Sequence, residues 1–144
     1  MPEIIHEFSV KASPQSVFDM FATPAGLDKW WTKTSSGDPK VGAIYRLDFG
    51  PGYAWKARVI ECAPGLAFEL EMTDAHEDWL RSKVGCKLNK ERQGGTRVLF
   101  YHWGWPEENE HWRTSNFCWA MYLRILRRSL DYGDTVPYDQ RLEV

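Results

Sequence analysis

Few residues in this chain are able to do chemistry, and they are scattered. His102 stands near the end of an alternating apolar run, Thr96 to Trp103. An ordinary pKa near 6.5 suits an imidazole to general acid or base work. Its proton relay would have to run through Tyr122, Tyr45 or Glu61, so His102 with Tyr122 is the candidate catalytic pair. The plainer reading is a histidine satisfied by a neighbouring hydroxyl or carbonyl. Two groupings have metal-ligand chemistry: His102, Glu107, Glu110 and His111, and His76 with Asp74, Glu77 and Asp78. Neither shows the helical i, i+4 pairing or Cys-x-x-Cys spacing of a zinc site, so each reads as a solvated acidic loop and no metal is expected. The sequence contains no Gly-x-Ser-x-Gly, and Cys118 has no evident activating base. It also lacks a Gly-x-Gly-x-x-Gly or Walker loop, so no cofactor is expected.

The elements that must position these groups follow from periodicity. Ile4 to Val10 reads as a strand. Ser13-Pro14 starts a short helix, Ser13 as N-cap and Pro14 at the first helical position. Thr23-Pro24 ends it, and Leu27, Trp30 and Trp31 suggest a second short helix before a loop from Thr34 to Pro39. Ala43–Phe49, Trp55–Val59, Phe68–Met72, Leu80–Leu88 and Thr96–Trp103 then alternate apolar with charged residues between Gly- and Pro-containing turns, as an antiparallel meander does. From about Glu108 to Tyr132 nothing breaks a helix. Its inward stripe reads as Ser115, Cys118, Trp119, Tyr122, Ile125, Leu126 and Ser129, with Arg113, Arg124, Arg127 and Arg128 on a solvated face. Small and hydroxyl groups at the centre of that stripe leave space.

A sheet with one apolar face needs a cover, and only the long helix is able to supply it. The expected fold class is therefore α+β: a curved antiparallel sheet around a long C-terminal helix, with two short helices after the first strand. The 144 residues fit one domain, 1–144, with 133–144 as a polar tail.

Composition narrows the function classes. Twenty acidic against 18 basic residues give a net charge of −2, which argues against nucleic acid as a partner. No apolar run spans a membrane, the N-terminus lacks signal-peptide character, and three unpaired cysteines fit reduced thiols, so a cytoplasmic location is expected. Eight Trp, seven Phe and six Tyr sit in a chain of mean hydropathy −0.51. On the inward positions Tyr45, Leu47, Trp55, Phe68, Leu70, Met72, Val84, Cys86, Val98, Phe100 and His102, facing Ser115, Cys118, Trp119 and Tyr122 with Trp31 nearby, those rings either wall a ligand pocket or fill a core. Leu99, Tyr101, Trp103 and Trp105 suggest an outer apolar patch, of the kind that marks a homodimer or partner surface.

The stretch from Val10 to Phe21, the run from Pro24 to Trp31 with its double Trp, Gly95-Thr96-Arg97-Val98 leading to His102, and Trp112 ahead of a long helix resemble one family. That family comprises the homologues of the activator of the heat-shock chaperone ATPase, within the START-like, birch-pollen-allergen-like (SRPBCC) superfamily. The resemblance implies a helix-grip fold with a cavity between sheet and helix. The expected function is enclosure of a small apolar, aromatic or lipid-like molecule without a cofactor. A chaperone-associated binding module and a cofactor-free cyclase, dehydratase or hydrolase are the alternatives that the resemblance implies.

Overall fold

The computed structural model describes residues 2–144. The chain runs β1 (Glu3–Val10), α1 (Pro14–Ala22), α2 (Pro24–Trp30), β2 (Thr34–Ser36), β3 (Ile44–Asp48), β4 (Ala54–Ala63), β5 (Ala67–Asp74), β6 (Lys83–Lys90), β7 (Thr96–Trp103) and α3 (Glu110–Tyr132), and closes with a 3-10 helix, Tyr138–Glu143. All seven strands form one antiparallel sheet in the order β1-β7-β6-β5-β4-β3-β2. The first strand thus closes against the last, and the long connection between them carries the meander. Two register shifts in β4, at Lys56/Ala57 and Val59/Glu61, bend the sheet. This is the expected curved sheet gripping a long helix.

Local chemistry explains the short helices. Ser13 Oγ accepts the Ser16 N–H at 3.2 Å and Pro14 occupies the first turn of α1. Thr23 repeats the device for α2, accepting the Gly26 N–H at 3.0 Å. Gly26 is required there, because a Cβ would run into the backbone of Asp19 and Met20. Trp30 then locks the pair by donating its indole N–H to the Met20 carbonyl at 2.8 Å.

Several expectations need correction. Thr34–Ser36, read as part of a loop, pairs with β3 as a short edge strand. The strand expected from Leu80 begins at Lys83, because Arg81 takes a left-handed φ of 69° and breaks the alternation. On α3 the buried residues are Ser115, Trp119, Leu123, Ile125 and Leu126, while Cys118, Tyr122 and Ser129 are only half-buried. The helix is rotated about its axis, and a sequence-only stripe centred on Cys118 and Tyr122 misses Leu123.

The 133–144 segment, expected to be a polar tail, docks. Arg141 is 4% exposed and donates to the carbonyls of Asp28 (2.7 Å), Thr32 (3.2 Å) and Val136 (3.2 Å). Tyr138 donates to the Phe49 carbonyl at 2.9 Å.

The outer patch also closes. Trp105 is fully buried. Tyr101 is 1% exposed because Gly85 leaves room for it: a Cβ there would stand 2.6 Å from the Tyr101 hydroxyl. That hydroxyl donates to Glu69, and the Trp103 ring covers Tyr101 at 4.0 Å.

Candidate functional site

The inner face of the sheet meets α3 in a cluster of rings. Trp119 on α3 lies 4.6 Å from Phe100, 5.1 Å from Trp31 and 5.7 Å from Trp79, centroid to centroid. Trp79 in turn touches Trp55 at 5.1 Å, and Phe49 bridges Trp31 (5.5 Å) and Trp55 (5.4 Å). Such spacings are those of rings in mutual contact. Phe68, deeper in the sheet, meets Phe18 of α1 and Tyr45 of β3.

His102 sits inside this cluster with no solvent exposure. Trp119 donates its indole N–H to Nδ1 at 3.0 Å, which puts the ring proton on Nε2. Nε2 donates to Ser82 Oγ at 2.7 Å, and Ser82 donates to the Trp79 carbonyl at 2.5 Å. Both nitrogens are engaged, and the chain of donors ends on a carbonyl. Burial, reinforced by nearby His111, lowers the His102 pKa to about 3, so the imidazole is neutral at pH 7. The relay partners considered from sequence are absent from this chain of bonds. Tyr45 instead donates to the Ala22 carbonyl, and burial drives its pKa well above the ordinary tyrosine value. Burial likewise pushes Tyr122 up to about 12. It also raises the Cys86 and Cys118 thiols, so neither is an activated nucleophile.

Among the sequence-expected site residues, Trp31, Tyr45, Leu47, Phe68, Leu70, Met72, Val84, Cys86, Phe100, His102, Ser115 and Trp119 are buried. Trp55, Cys118 and Tyr122 are half-buried at the margin. Sequence reasoning missed Trp79, Ser82 and Phe49 as members of the site. Ser82 carried a signal, since a hydroxyl in register with Val84 and Cys86 has to find a partner. Trp79 carried none, because it lies in an irregular loop with no period. Three indole N–H groups, those of Trp79, Trp105 and Trp112, are buried and have no hydrogen-bond partner.

At the N-terminal end of α3 the fold also joins the two histidine groupings that lay apart in sequence. His111 Nδ1 is 2.9 Å from Asp78 Oδ2, and His76 Nδ1 is 3.8 Å from the same oxygen. Hydrogen bonding to His111 holds the Asp78 carboxyl below the usual carboxylate range.

Strand order, the wrapped helix and the aromatic interior define a START-like, helix-grip domain. Residues 11–131 match the family described as activator of Hsp90 ATPase homolog 1-like protein, and the chain belongs to that family. No curated protein matches it significantly. Among solved structures, the Aha1 dimer of Colwellia psychrerythraea is 28% identical with a TM-score of 0.83, over 93% of this chain and 99% of that one. Protein MLL2253 of Mesorhizobium loti (20% identical, TM-score 0.81, 92% and 99% covered) and CalU16 of Micromonospora echinospora (20%, 0.74, 98% and 84%) share the fold. Among the described residues no helix is long and apolar enough to cross a membrane.

Proposed function

We propose that the protein encloses a small, flat aromatic molecule bearing a hydrogen-bond acceptor, between the sheet and the first half of α3. The observation that carries this reading is the set of unpartnered indole N–H groups of Trp79, Trp105 and Trp112. A buried donor without an acceptor costs about 1–3 kcal/mol, and a ligand carbonyl or phenolic oxygen would recover it. The rings around Trp79 supply stacking surface, and burial of apolar ligand area gains about 25 cal/mol per Å². Entry requires movement of the half-buried rim, Phe49, Trp55 and Tyr122, because the inner rings rest on one another. His102, neutral and bonded at both nitrogens, favours enclosure over acid–base turnover as the role of this interior.

Thermal denaturation of the purified chain with planar polyketides, sterols and fatty acids tests the reading. A ligand at a hundredfold excess over its Kd adds about 2.7 kcal/mol, or about 6 °C or more in Tm. Trp55→Ala should abolish the shift while leaving the free protein folded. If no planar aromatic raises Tm and native mass spectrometry of freshly purified protein finds only the bare chain, enclosure is excluded.

A second reading, self-association, is favoured by Phe117, which is 79% exposed on α3, together with the dimer formed by the Colwellia relative. The occupant of that face would be a second copy of this chain.

A further inference from the structure

His76 and Asp78 stand in the loop between β5 and β6, and His111 lies in the first turn of α3, 33 positions beyond Asp78. The fold turns residues that carry no metal spacing in sequence into a compact group. One ligand atom from each of the three lies within 4.8 Å of the others. We propose that His76, Asp78 and His111 bind one divalent transition-metal ion of the zinc class, clamping the β5–β6 loop to the start of α3.

The chemistry of the donors supports this assignment. Two imidazoles and one carboxylate suit a borderline ion such as Zn²⁺ and leave a fourth position to water. Bonds of about 2.0–2.2 Å place tetrahedral ligand atoms about 3.3–3.5 Å apart. The present separations from Asp78 Oδ2, 2.9 Å to His111 and 3.8 Å to His76, bracket that value. The exposed His76 ring, whose Nδ1 now accepts the Asp78 N–H at 3.1 Å, completes the site by exchanging that bond for the metal.

Its supports are already in place. Asn109 donates through Nδ2 to Asp78 Oδ2 at 3.3 Å, while its Oδ1 accepts the Trp112 N–H at 2.9 Å and caps α3. The cap thus aims the carboxylate, as outer partners of metal ligands do. Trp105 packs edge-on against the His111 ring at 5.3 Å and fixes its plane. The positive end of α3 opposes a cation, and the Asp78 carboxylate is the group that offsets it. Loading shifts the His111 proton from Nδ1 to Nε2, with no redox or covalent step.

The test uses tag-free full-length protein, stripped with EDTA and titrated with ZnCl₂ by calorimetry, with metal content measured after dialysis. One equivalent per chain is expected. His76→Ala and Asp78→Asn should each weaken zinc binding by more than about tenfold. His6→Gln, which touches none of the three and only alters a bond to Asn116, should bind as the parent does. His76 is exposed, so its alanine variant should keep the parent's circular dichroism. Substoichiometric uptake by the parent overturns the proposal. So does one equivalent retained at unchanged affinity by His76→Ala, since the ion would then be held elsewhere, for instance by the cysteines.

Discussion

Between pH 6.5 and about 3 the unfolded chain takes up a proton at its position 102 that the native protein refuses, because the imidazole is buried among rings and its nitrogens are committed to Trp119 and Ser82. The unfolded state binds more protons in that window, so stability conferred by neutral His102 is complete above pH 6.5 and is lost as the pH falls, at up to about 1.4 kcal/mol per pH unit. His102→Gln retains hydrogen-bonding capacity and removes the titration. Its urea-derived stability should be lower than the parent's at pH 7, by about 1–3 kcal/mol. The difference should shrink as the pH is lowered from 6 to 4. Parallel stability curves for the two proteins would show that His102 is not held neutral. Reading this residue from sequence alone reached its burial beside a hydroxyl, but named tyrosines. The partners that the fold supplies are a serine and a tryptophan.

α3 and the C-terminal 3-10 helix are the elements whose packing departs most from what periodicity predicts. If the buried face of α3 centres on Trp119 and Leu123, Leu123→Ala should cost about 3 kcal/mol, as for other buried leucines. Cys118→Ala, at the flank, should cost less than about 1 kcal/mol. Equal losses in denaturant titrations would return the helix to the orientation inferred from periodicity. Arg141 joins the last segment to the end of α2 through charged hydrogen bonds to the Asp28 and Thr32 carbonyls. Arg141→Met should therefore destabilise the whole domain by about 2 kcal/mol. A cost near zero, with the core transition unchanged, would make 133–144 a tail after all. The Ser13 cap and the Gly- and Pro-containing turns were readable because they act within a few residues, whereas Thr23-Pro24 read only as the end of α1 and also caps α2. The docking of Arg141 across a separation of 113 positions to Asp28 leaves no local trace.

For the whole molecule, the 21 aromatic rings are the unifying feature. Trp55 and Phe100 of the sheet meet Trp31, Trp79 and Trp119 on its inner side, where the sequence expectation placed either a wall or a filling, while Tyr53, Phe117 and Tyr132 are exposed and Tyr101 lies under Trp103 on the outer face. Analytical ultracentrifugation should give a dimer that Phe117→Asp converts to a monomer, with the melting transition of the fold retained. A parent protein that sediments as a monomer at high micromolar concentration would exclude the α3 face as a dimer surface. The family permits this range of roles because a helix-grip scaffold fixes where the interior is and leaves its lining free to vary.

Periodicity and turn chemistry alone settle most of the strand alternation, the capped first helix, the second short helix, the long helix and hence the layered architecture, since each depends on neighbours within one or two turns of chain. The tertiary structure decides which face of α3 is buried, that Trp105 turns inward and Tyr101 is buried on the outer face over Gly85, that Ser82 completes the histidine's bonds, and that His76, Asp78 and His111 meet. Those outcomes depend on the curvature of the sheet and on loops without a repeat. Residues dozens of positions apart share a volume there, and no local pattern encodes that closeness.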